Sequence, residues 1–123
     1  MIDSYLKVMS NYVTFSGRLM RKDYWLYILT YFIIMVVANI IDGLIGYGYD
    51  GDGLIAGLVA LIHFLPSLAA GFRRLHDIDR TAWWYLIILI PVIGWLVILF
   101  FHIQPGTVGA NRFGQDPRET EAA

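Results

Sequence analysis

The sequence contains no cysteine, and charged residues are scarce. The absence of cysteine excludes disulfide bridges, thiolate metal sites and cysteine nucleophiles. Lys, Arg, Asp and Glu make up 15% of the 123 residues, whereas about a quarter is usual in a soluble domain. The formal net charge of −1 gives no reason to expect nucleic-acid binding. With a hydrophobic fraction of 58%, this composition indicates lipid as the solvent.

Motifs of common catalytic and metal sites are missing as well. The chain has no Gly-x-Ser-x-Gly nucleophile elbow and no His-Glu-x-x-His zinc motif. Its histidines, His63, His76 and His102, do not form a pair with ligand spacing on one helix face. His76 and Asp77 are adjacent, but neighbouring side chains on a helix point about 100° apart. We therefore expect a protein that is not an enzyme and that needs no cofactor or metal.

The chain has instead three long apolar runs, at residues 24–41, 54–72 and 82–103. The first has 18 residues without a charge, and as a helix it would be ~27 Å long, close to the ~30 Å hydrocarbon core. The first two runs therefore predict transmembrane helices. The third is interrupted between Pro91 and Gly94, and we expect one kinked span. The alternative is a re-entrant hairpin, whose short halves dip into the membrane and return.

The N-terminal segment predicts an amphipathic helix rather than a span. Residues 1–22 have no continuous apolar core, so insertion is expected to depend on the internal runs. Apolar side chains recur at helical spacing, at Ile2, Tyr5, Leu6, Met9 and Val13. Such a helix can lie at the membrane surface or pack on the rest of the protein, and the pattern leaves both open. We expect a single membrane domain over residues 1–117 and a disordered tail over residues 118–123.

The distribution of Lys and Arg predicts the orientation. The N-terminal segment has four of these residues, and the segment between the second and third runs has three. The loop between the first two runs has none, and the C-terminal tail has two. With three spans the count is seven against two, which places the N-terminus and residues 73–80 in the cytoplasm and the tail outside. If the third run re-enters, the tail joins the cytoplasmic side.

The most charged stretch of the chain lies between the second and third runs. If a helix continues through it, Arg73, Asp77 and Arg80 share one stripe, with Arg74 and His76 beside them. Arginine forks bind phosphate, so one interpretation is a site for anionic lipid headgroups. The other interpretation is a salt-bridge cluster that satisfies itself, anchors the loop and sets the topology.

His63 lies at the middle of the second run. Ionisable residues at this depth are costly and are candidates for function. His63 could line the path of a small oligomeric transporter or channel, which is the alternative function. The interpretation we favour is a neutral imidazole that is hydrogen-bonded to a neighbouring helix, for instance through Thr30 or Asn39, because a lone histidine without an acidic partner in the span makes a poor proton relay.

Four ordered motifs give the chain a resemblance to a known family. They are Phe15-x-Gly17-Arg18-x-x-Arg21-x-x-Tyr24-Trp25, Arg73-Arg74-Leu75-His76-Asp77 with Trp83-Trp84, Ile90-Pro91-x-x-Gly94, and Pro105-Gly106 with Asn111-Arg112-Phe113-Gly114-x-Asp116-Pro117. In this order they resemble the bacterial inner-membrane family called domain of unknown function 805, the YhaH type. The resemblance covers about residues 13–117. Two departures, Asp79 and Thr81-Ala82, stand where the family usually has Gly, Ser and Gly.

The resemblance implies a multi-pass inner-membrane protein without an established activity. The polar residues of its motifs read like one site assembled from three segments: Arg18, Arg21, Arg73, Arg74, His76, Asp77, Asn111 and Asp116. Three simple spans would place the last two on the opposite side of the membrane, whereas a re-entrant third run would bring all of them together. Our leading hypothesis is a non-enzymatic membrane protein that binds anionic lipid headgroups or a partner protein, with a homo-oligomer also possible.

Overall fold

The computed structural model describes residues 2–46 and 53–117. Within these residues the chain is helical and has no strand, apart from an isolated bridge between Asn111 and Gly114. The helices are α1 (Ile2–Ser10), α2 (Arg21–Leu44), α3 (Leu54–Asp77), a 3₁₀ helix (Ala82–Leu89) and α4 (Ile93–Ile103). The glycine-rich loop at 47–52 and the tail at 118–123, which was predicted to be disordered, lie outside the described residues.

Helices α2 and α3 form an antiparallel pair and are the two longest elements. Each has 24 residues and contains an apolar window with a mean hydropathy of 2.0. At 1.5 Å per residue, each helix is ~36 Å long, enough to cross a bilayer. Most of their large apolar side chains are exposed, among them Phe32, Leu61 and Phe64. These outward faces have the character of surfaces solvated by lipid.

The junction of α2 and α3 is held by one buried carboxylate. Both oxygens of the Asp42 side chain, near the end of α2, accept hydrogen bonds from the first turn of α3, at Ile55 N and Ala56 N (2.9 Å each). The N-cap residue of α3 is Gly53, which has no side chain to serve this purpose. A carboxylate at a helix N-terminus also interacts favourably with the helix dipole. Asp42 therefore caps α3 from the neighbouring helix.

Helix α1 packs on the α2–α3 pair. Val8 is fully buried against Tyr24, Tyr27 and Ala70. The opposite face is apolar and exposed, with Ile2 and Leu6 66% and 56% accessible. The packed arrangement that the sequence allowed is therefore present, and the outward face also fits contact with a membrane surface.

The third apolar run folds back on itself. Its first half, the 3₁₀ helix, ends at Leu89, and α4 begins four residues later after a turn in which Val92 has a φ of +66°. The halves lie side by side, because the Trp84 and Phe101 rings are 5.3 Å apart. Gly94 meets the backbone of Ile87 so closely that a Cβ would collide with it. The run is thus a hairpin, as in the second alternative, and the single kinked helix is not formed.

Candidate functional site

Asp77, the last residue of α3, is the centre of a buried ion network. Its Oδ1 lies 2.9 Å from Arg18 Nη2, and its Oδ2 lies 3.0 Å from Arg74 Nη1. All three side chains are at most 1% exposed. A buried carboxylate between two guanidinium groups forms strong charge-assisted hydrogen bonds, and the loss of any member leaves an uncompensated charge.

The two arginines of this network also hold the C-terminal part of the chain. Arg18 donates to the carbonyls of Thr107 (2.6 Å) and Gly109 (2.7 Å). Arg74 donates to the carbonyl of His102 (3.1 Å) and also to that of Gln104. The guanidinium groups therefore connect the N-terminal segment, the end of α3 and the chain that leaves α4.

The turn after α4 fits closely against Asp77. Thr107 N donates to the backbone carbonyl of Asp77 (2.7 Å). Gly106 stands beside the Asp77 carboxylate, where a Cβ would collide with it. The Pro105-Gly106 motif is explained by this approach, because only glycine leaves room for the carboxylate.

The remaining motif residues of the tail complete the same assembly. Asn111 donates from Nδ2 to the carbonyl of His76 (3.0 Å), and Asp116 Oδ2 accepts from Gly109 N (3.0 Å). His76 Nδ1 donates to the carbonyl of Gly17 (2.9 Å), and its ring stacks on Phe113 at 4.1 Å. The three predicted segments are thus brought together. These contacts are internal, as the salt-bridge interpretation expects.

The predicted arginine stripe is not formed. Helix α3 ends at Asp77, and Asp79 has a φ of +61°, so the chain turns before Arg80. Arg80 lies over the rings of Trp84 and Phe101, at 5.1 and 4.4 Å from their centroids. The physical reason is the tight turn after α3, which takes residue 80 away from the helix face.

Four described guanidinium groups lie outside the ion network, and one of them, that of Arg112, pairs with Asp79. Arg21 is exposed and donates to the carbonyl of Ile103 (3.1 Å). Arg73 is buried, its Nε donates weakly to Ala69 O (3.4 Å), and its Nη2 has no hydrogen-bond partner. Together with Arg80, these residues have no carboxylate partner within the described ranges.

Positive charge is segregated to one end of the helix pair. Eight of the nine Lys and Arg residues are described, and all eight lie at the start of α2, at the end of α3, or in segments bonded to them. The ninth, Arg118, lies outside the described residues. We call this region, with the tail at 104–117, the polar end. Between Lys22 and Arg73 the sequence has no Lys or Arg at all.

His63 has a different partner from those predicted. Its Nδ1 donates to Val59 O (2.8 Å), so Nε2 accepts from the hydroxyl of Tyr5 (2.8 Å), a phenol whose pKa is raised by burial. Thr30 and Asn39 instead donate to carbonyls of their own helix. The prediction of those partners was wrong, because α1 packs over His63 and supplies the hydroxyl. Asn39 is exposed on α2, far along the helix from the polar end.

Some important residues gave little signal in the sequence. Asp23 is buried and accepts from Ser4 Oγ and Lys7 Nζ, both at 2.8 Å, which fastens α1 to α2. The carbonyl of His102 accepts from both Arg74 and Trp25. A lone aspartate after Arg-Lys resembles a surface residue, and no local pattern marks a backbone carbonyl. Only the packing of α1 and α4 shows these roles.

Two long apolar helices, a folded-back apolar run and a buried ion network at one end define a small α-helical membrane protein. A model of the family described as "Protein of unknown function (DUF805)" matches residues 12–115. The Escherichia coli K12 protein called inner membrane protein YhaH is 49% identical over 118 residues, which are 95% of this chain and 98% of that protein. Inner membrane protein YhaI of the same strain is 45% identical over 114 residues, 93% and 94% of the two chains. The chain therefore belongs to the DUF805 family. No solved structure matches it.

Proposed function

We propose that the protein is a non-enzymatic protein of the bacterial inner membrane that binds anionic lipid headgroups at its polar end. The observation that carries this proposal is the set of three guanidinium groups, Arg21, Arg73 and Arg80, without a carboxylate partner in the described part of the chain. Guanidinium groups bind phosphate through paired donors. Basic residues next to an apolar helix face the surface of a bilayer, where anionic headgroups are abundant.

The two interpretations of the charged cluster apply to different residues. Arg18 and Arg74 form ion pairs with Asp77 and donate hydrogen bonds to backbone carbonyls, so they stabilise the fold. Arg21 and Arg80 are accessible enough to contact a headgroup, and the buried Arg73 adds positive potential beneath them. The cluster therefore stabilises the fold and also contributes positive charge to the surface of the polar end.

We further propose that α2 and α3 cross the membrane, that the third run re-enters it, and that the polar end is cytoplasmic. The 3₁₀ helix has eight residues and α4 has eleven, so each is about 16 Å long, half of the ~30 Å hydrocarbon core. The tail then lies on the same side as the N-terminus. All nine Lys and Arg residues would be on the cytoplasmic side and none outside, which agrees better with the positive-inside rule than seven against two.

Hydrogen bonds at the hairpin tip support re-entry. Backbone groups in hydrocarbon must be satisfied within the protein. Trp95 Nε1 donates to the carbonyl of Ile88 (3.0 Å), and Gly94 N donates to that of Ile90 (3.0 Å). The turn therefore supplies partners for its own polar groups at the depth where water is absent.

Lipid selectivity tests the proposed function. The protein is purified in mild detergent, exposed to equal parts of phosphatidylglycerol and phosphatidylcholine, and the retained lipid is measured by native mass spectrometry. We expect the wild type to retain phosphatidylglycerol preferentially, and the triple variant Arg21→Gln, Arg73→Gln, Arg80→Gln to lose that preference.

The matched control removes an ion pair at the same end without changing the net charge. Asp79→Asn combined with Arg112→Gln breaks an exposed pair (3.1 Å) and should leave the preference unchanged. If the triple variant does not fold, Arg21→Gln with Arg80→Gln leaves the buried arginine in place. Equal retention of the two lipids by the wild type, or an unchanged preference in the folded variants, would overturn the proposal.

A transporter path through His63 has less support. The side chain is 4% exposed, both ring nitrogens are hydrogen-bonded, and the rings of Tyr5, Tyr27 and Tyr31 surround it. Neither nitrogen is available to a transported species unless α1 moves away. These contacts fit a residue that fastens α1 to the helix pair.

A further inference from the structure

Two apolar clefts flank one exposed tryptophan at the start of the hairpin. Trp83 is 77% exposed. On one side, a cleft of about 290 Å³ is lined by Thr81, Trp83, Trp84 and Ile87. The order of these residues along the 3₁₀ helix means that the cleft runs from the polar end into the apolar part of the hairpin.

The second cleft shares Thr81 and Trp83 with the first, but it follows the face of the 3₁₀ helix that carries Ala82 and Tyr85, whereas the first follows Trp84 and Ile87. The volume of the second cleft is about 550 Å³, and its walls include Phe72, Tyr85 and Leu86. This volume is within the range of small-molecule sites, and the walls are mostly apolar, as such sites usually are. Trp83 and Thr81 line both clefts, so the two clefts meet along an edge that these residues form.

The shared edge is polar and cationic. His76 lies in the wall of the larger cleft, and Thr81 belongs to both. The adjacent Arg80 rests on Trp84, which lines the smaller cleft, and no carboxylate pairs with it within the described ranges. The Arg80 guanidinium contacts these rings, and its N–H groups have no hydrogen-bond partner within the described residues, so they are available to a phosphate.

We infer that this region is a binding site for a single anionic phospholipid with two acyl chains. The phosphate binds at the edge formed by Arg80 and Thr81, and one chain lies on each side of Trp83. The charge of the edge selects an anionic headgroup, and two apolar clefts that diverge from one point fit a diacyl lipid better than a single chain. The site rests on the proposed function and gives it a location and a ligand class.

The test compares lipids and variants by native mass spectrometry of the full chain. We expect phosphatidylglycerol to bind more tightly than its single-chain lyso form.

Arg80→Gln should weaken phosphatidylglycerol binding about tenfold, the loss typical of one charge-assisted hydrogen bond. Trp83→Ala should abolish the difference between the diacyl and the lyso lipid, because the two clefts then merge. The double variant Asp79→Asn, Arg112→Gln, in which neither residue lines a cleft and the net charge is unchanged, should leave binding unchanged.

The outcomes separate this site from the proposed function. If the wild type prefers phosphatidylglycerol over phosphatidylcholine, yet Arg80→Gln and Trp83→Ala bind as the wild type does, the lipid is boundary lipid only and the site is overturned. The general proposal then stands. If the wild type shows no headgroup preference, both are overturned. Trp83→Leu serves as a second variant, since it keeps an apolar side chain and should retain part of the diacyl preference.

Discussion

At the scale of the residue, two adjacent arginines show why neighbouring side chains have different roles. Arg74 faces the carbonyls after α4 and pairs with Asp77, whereas Arg73 has an unpartnered Nη2. A helix rotates by about 100° per residue, so consecutive side chains meet different neighbours. The structure thus makes Arg74 part of the fold and leaves Arg73 available to add charge.

Substitution of Asp77 by asparagine tests the structural role of the network. Asp77→Asn keeps the side-chain shape but leaves Arg18 and Arg74 buried without a counter-charge, which should lower the free energy of unfolding by about 3–5 kcal/mol. Asp79→Asn is the matched control, because its pair with Arg112 is about half exposed and is expected to be worth at most about 1 kcal/mol. Equilibrium unfolding in detergent micelles measures both variants. Equal losses in the two variants would contradict a buried network at the polar end.

Tyr12 illustrates a residue role that a one-dimensional pattern cannot show. Pro66 lacks an N–H, so the carbonyl four residues earlier, at Ile62, has no helical partner. The hydroxyl of Tyr12 donates to this oxygen (3.0 Å). The proline and its expected kink could be read from the sequence, but the compensating hydroxyl comes from 50 residues away.

At the scale of the element, the close approach of the hairpin at Gly94 can be tested directly. Gly94→Ala places a Cβ against the backbone of Ile87, which cannot move without opening the turn. Such overpacking typically costs about 1–3 kcal/mol, so the variant should unfold at a lower temperature. Gly57→Ala is the control, since a Cβ there would meet no atom within 4 Å beyond the backbone of its own helix and its chain neighbours, and alanine favours a helix. Equal unfolding temperatures for wild type and Gly94→Ala would contradict the hairpin.

The elements that could be predicted from sequence are those with a strong local pattern. The two charge-free runs and the amphipathic N-terminal pattern each correspond to a helix. The third run has the same local pattern whether it continues or folds back, because Pro91 permits both. Hydrogen bonds from distant residues decide between them: Arg74 and Trp25 both donate to the carbonyl of His102 and hold the end of α4 at the polar end.

At the scale of the whole molecule, charge segregation and the ion network require the same arrangement. The network joins residues 18, 74 and 77 to carbonyls at 102–109, so the tail cannot lie across a membrane from the N-terminal segment without breaking it. The sequence alone allowed the tail on either side of the membrane, because the seven Lys and Arg residues of the other segments outnumber the two in the tail. With the tail on the cytoplasmic side, no Lys or Arg would be an exception to the positive-inside rule.

The side of the C-terminus is therefore the decisive measurement for the whole molecule. A reporter that is active only in the cytoplasm, fused after Ala123, should be active, and a second reporter inserted at residues 47–52 should not. The physical reason is that the hydrogen bonds from Arg18 to the carbonyls of Thr107 and Gly109 are lost if the tail leaves the polar end. Two inactive reporters would contradict the re-entrant hairpin and indicate three simple spans. Activity of both reporters would instead show three spans in the inverted orientation, against the distribution of Lys and Arg.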